Sequence, residues 1–156
     1  MPSQVDYRLA RRAVLRSFRS GRLSRGEVCD AHPELLRAAR NVGEECEVDC
    51  PICSQAKLRL VSYVFSEALK TGNGRCVVGS SELARLMREV DEFVCYIVEV
   101  CPDCSWNHLA RSEVLGRLHP KPGPGQGGRL VAKSAVGLGG AARRGRVPER
   151  PATPGV

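Results

Sequence analysis

"VEVCPDCSWNHL", residues 98–109, ends an apolar run with two cysteines two residues apart, and a tryptophan and a histidine follow at once. The fold turns on whether this pair stands alone. Cys50-Pro51-Ile52-Cys53 repeats the C-P-x-C form of Cys101-Pro102-Asp103-Cys104, with 47 residues between the two. In such a knuckle the chain turns tightly enough for two thiolates to aim at one point, while backbone N–H groups donate to the sulfurs. Two facing knuckles give the tetrahedral four-cysteine set that structural zinc takes, with Zn–S near about 2.3 Å. Cys50, Cys53, Cys101 and Cys104 are therefore the candidate metal ligands. The second knuckle follows directly on a strand-like segment and the first leads into one, which predicts a zinc ribbon.

Those flanking segments are the clearest in the chain. "EFVCYIVEVC" (92–101) is apolar on both faces and reads as a central strand. "KLRLVSYVF" (57–65) alternates, with Leu58, Leu60, Ser62 and Val64 on one side. Between them, "TGNG" (71–74) predicts a turn and "SSELARLMREV" (80–90) a short helix with Leu83, Leu86, Met87 and Val90 on its apolar face. Beyond Cys104 two readings stay open. Trp106, Ala110 and Val114 suit a helix, as in a treble clef, whereas a ribbon needs a strand there. Cys76 and Cys95 fall in or beside strand-like segments and read as core.

Upstream of the knuckles the period changes. Residues 4–20 predict an amphipathic helix capped by Ser3, with Tyr7, Leu9, Ala10, Ala13, Val14 and Phe18 on one side. Arg8, Arg11, Arg12, Arg16 and Arg19 fall opposite. Arg8, Arg12 and Arg16 are candidates for contact with a partner, although no aromatic residues interleave with them and a solvated face is the plainer reading. Next comes a capping box, Ser24 to Glu27, then a second start at Pro33 and a stop at Gly43. Leu35, Leu36 and Ala39 are expected to pack this helix on the first, and Cys29 to be a small buried apolar group.

The expected fold class is α+β: an N-terminal helical pair (1–44) packed as one folded unit on a zinc-ribbon-like antiparallel sheet with one inserted helix (45–118). Residues 119–156 hold 9 of the 16 glycines and 6 of the 10 prolines, a composition that cannot offset ordering entropy and predicts a disordered tail. This tail has seven basic side chains and one acid, so it supplies +6 of the formal net charge of +7. The basic balance is thus a property of the appendage, and the rest of the chain is nearly neutral. No run approaches the ~20 apolar residues of a membrane span, and the arginine-bearing N-terminus has no secretory apolar core. A cytoplasmic protein is expected. In a reducing compartment, eight cysteines point to a metal site before a disulfide framework.

Other cysteine chemistries fit less well. A thioredoxin-like pair needs one C-x-x-C at a helix N-terminus in a βαβ context. Rubredoxin-like iron knuckles continue with glycine, where this chain has Ser54 and Ser105. Catalytic zinc needs an open coordination position that four cysteines do not leave. Cys46 and His108 are alternative ligands, expected near the site but not on it. Trp106 reads as a lid over the cluster, with base stacking as the sharper alternative. No nucleophile–base set, phosphate-binding glycine loop or H-E-x-x-H is present, so no catalytic residue is named and no enzyme or small-molecule substrate is expected. A non-enzymatic adaptor contacting a protein or nucleic-acid partner is the expected role. The alternative is a thiol-based redox or zinc sensor in which oxidation at Cys46, Cys50 or Cys53 ejects the ion.

The combination "VCDAHPELLRAARNVG", "CPIC" and "DEFVCYIVEVCPDCSWNHLARSEVLG" resembles a family of small uncharacterised actinobacterial proteins, over roughly residues 4–117. The C-S-W-N-H-L box after the second knuckle is the most specific part. The resemblance implies a compact zinc-type fold, with Cys50, Cys53, Cys101 and Cys104 as its metal ligands, and no established activity. Cys46 departs from the pattern, and the tail lies outside it.

Overall fold

The computed structural model describes residues 3–69 and 74–120. The elements in order are β1 (Gln4–Asp6), α1 (Arg8–Arg19), α2 (Arg25–Val28), α3 (Pro33–Val42), β2 (Glu44–Asp49), β3 (Lys57–Phe65), β4 (Arg75–Val77), α4 (Gly79–Glu89), β5 (Phe93–Val100) and β6 (Asn107–Leu115). All strands join one antiparallel sheet in the order β1-β6-β5-β3-β2. β4 pairs with the second half of β3, along the edge whose first half β2 occupies. The fold is α+β, as the period-2 and period-3.6 segments predict.

The two sheet faces have different cover. Alternation along β3 puts Leu58, Leu60 and Val64 on one face and Val61 and Tyr63 on the other. At the far end of the first face, α4 buries Leu86 and Val90 against Val64, Phe93, Cys95, Ile97 and Leu115. At the knuckle end, α1 and α2 bring Leu15 and Val28 onto Leu58, Cys50, Cys101 and Trp106. The opposite face carries α3, whose fully buried Ala39 lies on Val61 and Val100. Two glycines close this frame. Gly43 ends α3 where a Cβ would strike the Ala39 carbonyl, and Gly116 follows β6 at φ +135° with a Cβ position against the Asp91 carbonyl.

Three sequence expectations change, and a fourth point, left open by the sequence, is decided. Residues 4–6 are not helical: they form β1 and pair with Arg111–Glu113, so β6 gains a neighbour on its outer side. The Ser3 carbonyl accepts from the Val114 N–H instead of capping a helix (2.7 Å). The buried stripe of α1 is also rotated, since Leu15 is buried and Arg11, Val14 and Phe18 half-buried, while Leu9 is 78% exposed. Arg11 turns inward because a buried carboxylate, Glu99, receives it at 2.6 Å. Third, α3 packs on the sheet and not on α1, because the apolar strip of Val61 and Val100 offers Leu35, Leu36 and Ala39 a flat surface to cover. Fourth, the segment after Cys104 is a strand, which settles the ribbon against the treble clef. The predicted turn (71–74) lies outside the described residues except for Gly74, and the predicted tail (119–156) except for His119 and Pro120.

Candidate metal centre

Antiparallel pairing explains how knuckles 47 residues apart meet. Arg59 near the start of β3 lies opposite Val100 at the end of β5, so the turn entering β3 and the turn leaving β5 share one end of the sheet. The intervening residues go out along β3, through β4 and α4, and back along β5. Each knuckle is locked alike. The Cys50 N–H donates to the Ala56 carbonyl (2.9 Å) and the Ser54 N–H to Cys50 (3.0 Å). In the second knuckle, the Cys101 N–H donates to Trp106 (2.8 Å) and the Ser105 N–H to Cys101 (3.2 Å). Ser54 and Ser105 adopt left-handed φ values of 54° and 69°, the step that turns the chain back into a strand.

The four Sγ atoms of Cys50, Cys53, Cys101 and Cys104 all lie within 4.8 Å of one another. Across the knuckles, Cys50 and Cys104 are 3.5 Å apart and Cys53 and Cys101 3.7 Å. Sulfurs about 2.3 Å from a common centre have tetrahedral edges of about 3.8 Å, so the set needs little movement to close on an ion. All four thiols are free, and Cys50 and Cys101 are buried. Backbone N–H groups already point at sulfur: Ile52 to Cys50 (3.4 Å), Gln55 to Cys53 (3.5 Å) and Cys104 to Cys101 (3.4 Å). These four cysteines can hold a metal ion.

Electrostatics favours a cation. Burial pushes the Cys50 thiol up to about 11 and the Cys104 thiol to about 12, and it raises Cys101 as well. At Cys53 burial also pushes upward, but the Gln55 N–H and the neighbouring thiols outweigh it and bring the group down to about 7. The leading causes of these shifts are burial and hydrogen bonds from backbone and neighbouring thiols, with no lysine or arginine among them. A divalent ion would supply the missing positive charge and displace the protons.

The remaining candidates sit elsewhere. Cys46 lies on β2 outside the tetrad, with its sulfur 4.0 Å from the Glu44 carbonyl oxygen. His108 stacks on Trp106 at a centroid distance of 6.0 Å, its Nδ1 2.8 Å from the Leu109 carbonyl oxygen. Trp106 is fully buried against the knuckle cysteines, so neither ring face is on the surface for a base. Its indole N–H donates to Glu99 (3.0 Å), the same oxygen that Arg11 reaches. Arg8, Arg12 and Arg16 are exposed.

Two features escaped the sequence reading. Cys29, at the end of α2, has its Sγ 3.7 Å from that of Cys104, so a fifth thiol abuts the tetrad. Its only local signal is the capping box that fixes α2, which says nothing of what the helix touches. Glu99 had a better signal: a single acid inside an otherwise apolar central strand needs a buried partner.

The comparisons agree with this picture. The chain belongs to a family of unknown function, DUF5318, which residues 2–127 match. It is 46% identical over 133 residues to "Uncharacterized protein Rv0049" of Mycobacterium tuberculosis, covering 85% of this chain and 96% of that protein. The "Uncharacterized protein Mb0050" of Mycobacterium bovis matches equally, 46% identical over the same 133 residues. The resemblance to uncharacterised actinobacterial proteins therefore holds. No solved structure matches the chain.

Proposed function

We propose that the four knuckle cysteines hold one structural zinc ion, and that the protein is a non-enzymatic adaptor whose binding surfaces this ion keeps in shape. The observation that carries the reading is the closed tetrad, four sulfurs within 4.8 Å of one another at the meeting point of two hairpins. A four-thiolate set leaves no open position for substrate or water, which speaks for a structural role and against metal-assisted hydrolysis. An adaptor reading is further supported by the exposed Arg8, Arg12 and Arg16 on α1, which a protein or nucleic-acid partner could meet. Eight free cysteines suit a reducing, cytoplasmic setting. Among the described residues, no helix is long and apolar enough to cross a membrane.

The test is native mass spectrometry of protein purified under reducing conditions, with Cys101→Ser alongside. One zinc per chain, absent from the variant, is the expected result. A folded, metal-free wild-type protein, or a coloured iron form, overturns it.

A second reading rests on Cys29. With its sulfur 3.7 Å from Cys104, it is poised to resolve an oxidised ligand. Hydrogen peroxide would take the Cys104 thiolate to a sulfenic acid with release of hydroxide. The Cys29 thiol would then condense with it to a disulfide, releasing water, and the ion would lose a ligand. Peroxide should then release zinc and yield a Cys29–Cys104 peptide by mass spectrometry; release that is equally fast in Cys29→Ser removes the argument for this reading.

A further inference from the structure

A cleft of about 590 Å³ opens between α1, β2 and β6, on the sheet face that α4 covers at its other end. Its volume falls in the usual range for small-ligand sites. Two kinds of surface line it. The exposed Val48 and the half-buried Leu60 contribute apolar wall and floor, with the edge of Leu58, which Leu15 of α1 buries, beside them. Arg8, Arg11, Arg12 and Arg111 also line it, against the carboxylates of Asp6 and Glu99, so the positive charges are in excess.

The arginines are not equally engaged. Arg8 pairs with Asp6 (2.8 Å), Arg11 with Glu99 (2.6 Å) and Arg111 with Glu113 (2.9 Å). Arg12 has no ion pair among the described residues, and it lies one residue from the inward-turned Arg11 on the turn that borders the cleft. The first turn of α1 carries no acidic residue, and Tyr7 supplies no side-chain cap. The positive end of that helix is therefore uncompensated except by Asp6, which accepts the Arg8 N–H (2.8 Å).

We infer that this cleft binds a small amphiphilic anion, its carboxylate or phosphate head held by Arg12 beside Arg8 and Arg11 and its apolar body laid on Leu60 and Val48. The inference goes beyond an adaptor role and departs from the expectation of no small-molecule ligand. It does not depend on which metal the tetrad holds. An apolar floor alone would accept neutral molecules, and an arginine cluster alone would accept inorganic phosphate; their juxtaposition selects a molecule with both parts. The cleft also reaches the metal centre by a short route, because Glu99 lines it and accepts from the Trp106 indole (3.0 Å).

That route provides the readout. Trp106 is the single tryptophan of the chain, so its fluorescence reports on Glu99 without labelling. The full-length, metal-loaded protein is titrated with octanoate, octyl phosphate, inorganic phosphate and the neutral octyl glucoside. Saturable binding of octanoate or octyl phosphate is expected, at least about tenfold tighter than either inorganic phosphate or octyl glucoside. Whichever of the two amphiphiles binds better identifies the head group. Arg12→Glu should weaken that binding at least about fivefold, Val48→Asp likewise, and Arg88→Glu on the exposed side of α4 should leave it unchanged. Both test positions are solvent-exposed, so the fold should tolerate them. Equal binding of octyl glucoside, equal binding of inorganic phosphate, no saturable signal below about 10 mM, or insensitivity to Arg12→Glu each overturns the inference.

Discussion

Ser54 and Ser105 occupy the same step of their knuckles, immediately after the second cysteine, and both adopt positive φ. A left-handed conformation costs a residue with a Cβ about 1–2 kcal/mol, and the two serines meet that cost differently. Ser54 has a side-chain contact to the Cys50 carbonyl at 3.5 Å, whereas Ser105 is held through its backbone, its N–H donating to Cys101 and its carbonyl accepting from Ala31 and Asn107. Ser105→Gly should accordingly be neutral or stabilising by up to about 1 kcal/mol, and Ser105→Val, branched at Cβ, should cost more than about 1 kcal/mol; chemical denaturation of the metal-loaded chain reads both. Cys46 gives a second prediction at this scale. Burial and then the nearby Glu99, Glu44 and Glu45 push its thiol up to about 11. At pH 8 it should be alkylated far more slowly than a model thiol, with the rate climbing through pH 9–11, as peptide mapping under alkylation can follow. The knuckles were legible in the sequence because Cys-Pro-x-Cys is a local signal that needs no partner to be recognised. Cys29 was not, since its proximity to Cys104 is made by how α2 lies against a turn 75 residues away.

At the scale of elements, β3, β5 and α4 follow their sequence patterns closely because each buries a regular face. The first element departs from its pattern for an energetic reason. A wheel drawn from hydrophobicity alone turns Leu9, Ala10 and Ala13 inward, yet all three are exposed. α1 instead turns Arg11 toward the sheet, because Glu99, only 8% exposed, needs a charged partner. That carboxylate ties three elements together, accepting from Arg11 on α1 and from Trp106 at the head of β6 while it sits on β5. Removing one donor leaves a buried acid short of partners, which costs about 3–5 kcal/mol in a fully buried pair and less here, where a quarter of the Arg11 side chain (25%) is open to water. Arg11→Met should therefore destabilise by roughly 1–3 kcal/mol. The paired change Arg11→Met with Glu99→Gln should cost less than the sum of the single changes, and a double-mutant cycle measures the coupling. If the costs simply add, Glu99 does not fix the orientation of α1.

For the whole molecule the clusters divide along the sheet, and the division predicts what metal removal does. The cluster under α4, built on Val64, Leu86, Phe93, Ile97 and Leu115, contains no knuckle cysteine. The cluster under α1 and α2 contains Cys50 and Cys101 as buried members, with Cys53 and Cys104 packed against it. Chelation should thus loosen the two ends unequally: amide exchange should accelerate first over 44–60 and 98–110 and over α1, while α4 and the first half of β5 stay protected. The response to pH should differ between the two states. In the metal-loaded chain the ion holds thiolates, so acid reprotonates them, the ion is lost and stability falls as pH falls. In the metal-free chain, Cys50 and Cys104 are raised from 9.0 to about 11 and about 12. Groups raised in the folded state contribute stability that is fully present below pH 9 and is lost as pH climbs toward those values, because the unfolded chain ionises first. Cys53, lowered from 9.0 to about 7, adds an opposite and smaller loss as pH falls from 9 through 7. Thermal melts between pH 5 and pH 11 should therefore fall toward acid with metal and, without it, fall most steeply above pH 9. Melts that follow one profile in both states would mean that the four sulfurs do not hold the ion. Uniform acceleration of exchange on chelation would mean instead that the α4 cluster has no stability of its own, and that the ion holds the entire sheet.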